Sequence, residues 1–395
     1  MSTQAIAINT AARQRYLLVL LFAGFVLTGL EITVVGPMMP LFITRWSLTD
    51  SQAGLFLAVQ FTASLAGVWL SSLITHFFGA RTSLILGYAT IAAGLAAINT
   101  SSMTVVFFAL GALGIGYGLV VPPTNLGVAE IGGPRSASLV SLVNFAWGAG
   151  AVSCSPLVLL ALKNGLLPAF LFFFAGVGAL LAFSFLFSTF PEANHAPTSS
   201  TATATTSAGR IGLVITLTLA ALFFLYVGIE VSIGSWAAAY TKRLPGVGEG
   251  ISTLAPMFFY GGLLTGRASA PFVLARVREF RLVVTALVVV IAGISALVAA
   301  PTQTIAFASA AIAGLGCAAI FPVYVAWLSR WYGARAVRLG GLMFSMSSLG
   351  SGLVPPFVGF VSTHAGGLRV GLLVPLFSAV VMLFLLLLVR RQAAA

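Results

Sequence analysis

Charge is scarce in this chain: 395 residues carry only nineteen Lys and Arg and seven Asp and Glu. A soluble domain covers itself with such groups, so 7% charged residues, 59% hydrophobic residues and a mean hydropathy of +1.10 exclude a soluble globular protein. Histidine is nearly missing; His76, His195 and His364 all fall at expected loops, and a histidine metal site has no support. The two cysteines, Cys154 and Cys317, lie in separate apolar segments and read as packing residues rather than as a disulfide or metal pair. No Gly-rich phosphate loop with its Lys is present, which argues against ATP as an energy source. With no cofactor, metal or catalytic set implied, the chain does not read as an enzyme. A receptor or scaffold reading is weak as well, for want of a soluble domain or long tail to relay a signal.

Long apolar runs are what the chain has in abundance, and a spanning helix needs about twenty such residues. Twelve spans are expected, near 16–43, 51–75, 80–99, 103–128, 137–161, 166–190, 211–239, 250–274, 280–300, 302–329, 337–362 and 368–389. The net charge of +12 fits cytoplasmic loops better than nucleic acid. With both termini inside, fourteen basic residues, among them Arg267, fall on cytoplasmic segments and five on outer loops. That asymmetry predicts a multi-pass protein of the inner or plasma membrane with cytoplasmic ends. A cleaved signal peptide is not expected, because the first apolar segment is too long, contains Glu31 and lacks a small-residue cleavage pattern.

Two of the seven acids stand inside apolar runs, in similar surroundings: Gly29-Leu30-Glu31-Ile32-Thr33 and Gly228-Ile229-Glu230-Val231-Ser232. Carboxylates at bilayer depth are costly and usually functional. Gly114, Gly116 and Pro122 recur 200 positions on as Gly314, Gly316 and Pro322; Gly150 and Pro156 recur as Gly350 and Pro356. Three pairs of spans thus share an offset of 199 or 200, the mark of a duplicated unit. The Ser/Thr/Ala-rich stretch 191–209 reads as a cytoplasmic linker between an N-terminal six-helix bundle, 1–190, and a C-terminal one, 210–395. Parallel six-helix repeats of this kind are the major facilitator architecture.

The run Phe224-Leu225-Tyr226-Val227-Gly228-Ile229-Glu230-Val231-Ser232-Ile233-Gly234-Ser235-Trp236 resembles the seventh helix of the fucose, galactose and glucose symporter branch of the major facilitator superfamily. Gly148-Ala149-Gly150 with Pro156, and Gly314-Leu315-Gly316 with Phe321-Pro322, are similar to that branch too. The resemblance implies twelve helices in two pseudo-symmetric bundles, proton-coupled sugar transport and alternating access. Two departures matter. The loop signature between the second and third spans keeps only Gly79 and Arg81 in Thr75-His76-Phe77-Phe78-Gly79-Ala80-Arg81, and the fourth span lacks the carboxylate that some relatives carry there.

Coupling is therefore left to Glu31 and Glu230. A carboxyl out of water favours its neutral form and releases the proton when water arrives. Helical spacing puts Thr28 on the face of Glu31 and Tyr226 on that of Glu230, whereas Trp236 joins the site only if the seventh span is interrupted, with Gly234 as the candidate. Asn144, Trp147 and Gly148 share a face of the fifth span, with Gln60 in the second and Asn125 in the fourth. Amides and an aromatic face suit a polyhydroxylated ligand. Trp327 and Trp331 are expected in an interfacial aromatic belt. No Lys or Arg is expected at the middle of a span, which disfavours an anionic substrate.

The sequence thus predicts a monomeric transporter that moves a neutral, hexose-like sugar by proton symport. Glu230, Asn144, Trp147, Gln60, Tyr226, Trp236 and Asn125 would bind the sugar, and Glu31 and Glu230 would carry the proton. The rival reading is a proton-driven antiporter exporting cationic or lipophilic compounds, drawn by the same glutamates.

Overall fold

The computed structural model describes residues 3–190, 210–246, 250–332 and 336–394, which are helical apart from short connections. The helices are α1 (Thr3–Thr33), α2 (Val35–Trp46), α3 (Asp50–Phe78), α4 (Ala80–Ala97), α5 (Met103–Gly132), α6 (Ser136–Lys163), α7 (Leu167–Phe185) and α8 (Arg210–Thr241). They are followed by α9 (Ala255–Leu274), α10 (Glu279–Ala299), α11 (Gln303–Cys317), α12 (Ile320–Tyr332), α13 (Ala336–Ala365), α14 (Leu368–Gly371) and α15 (Leu373–Ala394). Among the described residues, 11 helical segments are long and apolar enough to cross a membrane, with α1–α2 and α11–α12 each acting as one. The segment expected at 250–274 is a 3-10 turn, Ile251–Leu254, leading into the 20-residue α9. This is a multi-pass membrane protein. The expected linker 191–209 lies outside the described residues.

Capping residues start several of these helices. Thr49 and Gln52 form a reciprocal capping box at α3, in which Gln52 Oε1 accepts from the Thr49 N–H at 2.9 Å. Ser102 caps α5 and Thr302 caps α11, two hydroxyls 200 positions apart doing the same task.

The repeated glycines also do the same task twice. A Cβ on Gly114 of α5 would lie 1.9 Å from the Gln60 carbonyl oxygen of α3, and one on Gly314 of α11 would lie 2.0 Å from that of Phe259 in α9. Gly150 of α6 meets the Val26 carbonyl of α1, and Gly350 of α13 meets that of Phe224 in α8, both at 2.0 Å. Backbones this close admit no side chain, so the sequence repeat is a repeat of helix packing.

Two spans are broken. Proline lacks the N–H that would bond four residues back, so Pro37 strands the carbonyl of Thr33 and Pro322 that of Ala318. The chain breaks at Val34, between α1 and α2, and again at Ala318–Ala319, between α11 and α12. The interruption considered at Gly234 does not occur: α8 is continuous from Arg210 to Thr241. Gly234 instead gives room to Tyr260, whose hydroxyl oxygen would lie 2.3 Å from an added Cβ, and to Gly36 of α2.

Helices α1–α7 meet α8–α15 along three seams, α3 on α13, α2 on α8 and α6 on α9. One end of the α3–α13 seam is latched. Asp50 pairs there with Arg243, Nη1 donating to Oδ2 at 2.8 Å, and also accepts from the Ser362 hydroxyl. Lys242 Nζ donates to Thr44 Oγ1 at 2.9 Å beside it. Near the opposite end Glu279 of α10 takes Arg330 and the indole N–H of Trp327, the latter at 2.8 Å. The aromatic belt expected of Trp327 is thus corrected, since its indole is 5% exposed and spent on Glu279, whereas the stacked Trp331 is 46% exposed.

Candidate functional site

Glu31 lies in the last turn of α1, three residues before the break, fully buried, and neither carboxylate oxygen has a hydrogen-bond partner within the protein. Its neighbour Thr28, also buried, donates back to the Gly24 carbonyl at 2.8 Å. Gln60 reaches the same break from α3, its Nε2 donating to the Ile32 carbonyl at 3.4 Å while Oε1 is buried without a partner. The second break is held in a similar way: the Tyr226 hydroxyl of α8 donates to the Cys317 carbonyl, the last of α11, at 3.1 Å. One helical turn along α8 stands Glu230.

Glu230 faces a cation that the loop assignment put elsewhere. Arg267 is the thirteenth residue of α9, well inside the helix, and its Nη2 stands 3.8 Å from Glu230 Oε2. The expectation of no mid-span Lys or Arg is therefore overturned, and with it the reason for disfavouring an anionic substrate. Moving Arg267 off the cytoplasmic side leaves thirteen basic residues there against five, so the charge asymmetry survives.

Tyrosines and a tryptophan bridge the two acids. Tyr117 of α5 stands within electrostatic reach of Glu31, Glu230 and Arg267, and Tyr260 of α9 within reach of Glu230 and Arg267. Trp147 of α6 meets Tyr260 edge to face across the seam, with ring centroids 6.3 Å apart, and its indole N–H is buried without a partner. Beside them Gly148 lies against Leu264. Both thiols are buried and free, Cys154 near Glu31 and Cys317 near Glu230.

The structure brings Glu31, Gln60, Trp147, Tyr226 and Glu230 around the two breaks. Asn125 and Asn144 form a half-buried pair of their own, Asn144 Nδ2 donating to Asn125 Oδ1 at 2.9 Å, and each amide also donates to its own helix. Trp236 is kept away. It is fully buried against α13 and donates its indole N–H to the Pro355 carbonyl at 2.9 Å, which follows from the unbroken α8. Arg267, Tyr117 and Tyr260 are the residues the sequence reading missed. For Arg267 a signal existed, because the apolar run continues beyond it to Leu274, but the nearby Arg276, Arg278 and Arg281 drew it into their loop.

Chemically the centre offers two carboxylates, one guanidinium, hydroxyls and aromatic faces between helices that can be bent. Discontinuous spans with an ionisable residue at the break are the usual build of a transporter site. The family model of the Major Facilitator Superfamily matches residues 21–311, and the chain belongs to that superfamily. Among solved structures it is similar to the E. coli fucose:proton symporter FucP (TM-score 0.64, 16% identity, 94% of this chain and 98% of that one). It is also similar to a D-xylose-proton symporter (0.73, 18%, 93% and 96%) and to the nucleoside transporter NupG (0.74, 16%, 95% and 99%). No curated protein matches it in sequence.

Proposed function

We propose that this transporter moves a small polyhydroxylated solute together with a proton by alternating access, through twelve spans in two halves, 1–190 and 210–395. Glu31 carries the reading. An ionised carboxylate with no counter-ion or hydrogen bond costs several kcal/mol out of water, a cost that a bound proton removes; its oxygens are both buried and unpartnered. A proton picked up there is lost only where the cycle admits water, which is the requirement of coupling. The sugar symporters among the similar structures, and the unpartnered indole N–H of Trp147 beside the ring of Tyr260, favour a hydroxylated ring as solute. Tyr226, Gln60 and Glu230 would line its path, with the Asn125–Asn144 pair toward the cytoplasmic end. The restriction to a neutral sugar is dropped, since Arg267 removes its premise.

With the charge asymmetry setting orientation, the Asp50 latch would face outward and hold the two halves together on that side. Export of cations is disfavoured by Arg267 beside Glu230. The test is uptake of labelled sugars and sugar acids into proteoliposomes with and without an inward proton gradient. Gradient-driven accumulation is expected. Expulsion of a cationic dye with no uptake of either solute would overturn the reading.

A further inference from the structure

Three ion pairs occur among the described residues, and only the central one is loose. Arg243 holds Asp50 with both Nη atoms, and Arg330 reaches both oxygens of Glu279. Arg267, by contrast, stands 3.8 Å from Glu230, beyond hydrogen-bond range, and its buried Nε has no partner within the protein. A guanidinium presents five donors in a planar fork matched to the two oxygens of a carboxylate. In the centre of this molecule the fork is not seated on its acid as that of Arg243 is on Asp50, and Tyr226 is the hydroxyl that shares it.

We propose that the solute is a sugar acid, a polyhydroxylated monocarboxylate, and that Arg267 takes its carboxylate as Glu230 takes up a second proton beside the one that Glu31 carries. This rests on the proton-coupled reading above. The exchange conserves charge. Before it, the Glu230 carboxylate balances Arg267; after it, the solute carboxylate balances Arg267 and the proton resides on a Glu230 oxygen. If the solute entered without the proton, two carboxylates would compete for one guanidinium in a largely buried site, so binding and protonation become one event. The surroundings agree. Facing Glu230 are Tyr226 of its own helix, Arg267 and Tyr260 of α9, Cys317 of α11 and Tyr117 of α5. Glu31 is within electrostatic reach of Tyr117 too, with Cys154 of α6 near it. Among these the sole fixed cation is Arg267, which suffices for one carboxylate but not for a phosphate, whose charge at neutral pH approaches −2. The tyrosines and Trp147 provide hydroxyls and ring faces for the rest of the molecule.

The test uses the full-length protein in proteoliposomes with labelled glucuronate, glucose and glucose 6-phosphate, and binding of glucuronate to the purified protein across pH. Glucuronate is expected to accumulate on an inward proton gradient, with glucose at least about tenfold poorer and the phosphate inert. Glucuronate affinity should fall by about tenfold per pH unit on the alkaline side, the signature of one proton bound with one solute. Glu230→Gln should bind glucuronate without that slope, whereas Glu31→Gln should keep it. Arg267→Gln should lose about a hundredfold in glucuronate uptake and Arg267→Lys less. Accumulation of glucose without transport of, or competition by, glucuronate overturns this proposal and leaves proton-sugar symport standing. Movement of neither solute overturns both. If Arg267→Gln does not fold, the wild-type pH slope decides, and a slope of zero sinks the exchange.

Discussion

Glu31 and Glu230 differ by one neighbour: Glu230 has Arg267, and Glu31 has no ion-pair or hydrogen-bond partner among the described residues. That difference assigns them separate parts in the proposed cycle. Glu31→Gln is expected to retain solute exchange across the membrane while gradient-driven accumulation falls to the level that the Glu230 proton alone sustains, measured as counterflow against uptake in the same vesicles. Trp236 supplies the contrasting case. Trp236→Phe removes the bond to the Pro355 carbonyl and should lower stability by about 0.5–1 kcal/mol, with the half-saturation concentration for transport unchanged. A matching change in half-saturation would return Trp236 to the site. Single residues were unevenly legible. The two glutamates were visible because a carboxylate in an apolar run is rare, Trp147 and Tyr226 were picked out by helical spacing, and Gln60 by its polarity within a span. Arg267 was hidden because a basic residue near a span end looks the same in sequence whether it belongs to the loop or to the cavity, and only the helix partner across the gap, Glu230, tells them apart.

The breaks are the element-scale feature with the most mechanical content. Both lie three to four residues before a proline, Pro37 and Pro322, whereas α5, α6 and α13 run on through theirs. Composition alone therefore could not distinguish breaking prolines from tolerated ones, and the glycine considered for a break, Gly234, proved to be a contact point for Tyr260. Span existence and the repeat, on the other hand, were legible because a membrane imposes long apolar helices and because the spacing of 200 is carried by residues with one packing role. Gly314→Leu should separate α11 from α9 and lower stability by about 1–3 kcal/mol, read as a drop in thermal midpoint by size-exclusion fluorescence. Gly114→Leu should do the same between α5 and α3. Unchanged midpoints in both would show that these close approaches are not required for packing.

On the scale of the whole molecule, the latch ties α3, α8 and α13 together at one end of the seam between them. Asp50 is 8% exposed, so Arg243→Gln leaves a nearly buried acid without its cation. The variant is expected to shift the population toward the opposite state by about five- to thirtyfold, the equivalent of one to two kcal/mol. Accessibility of a cysteine placed at Ser51, next to the Thr363 hydroxyl, would report the shift; no gain in accessibility would deny the latch any part in the equilibrium. Neither Asp50 nor Arg243 stood out in the sequence, since each is an ordinary charge at a helix end until the two halves are brought together. The free thiols Cys154 and Cys317 have a practical use here. Each is no more than 1% exposed, one beside each glutamate, and no other cysteine exists in the chain. The unmodified protein is thus its own two-point probe: alkylation by a small permeant maleimide, followed on each sulfur separately by peptide mass, would time the wetting of the two sides of the centre during turnover.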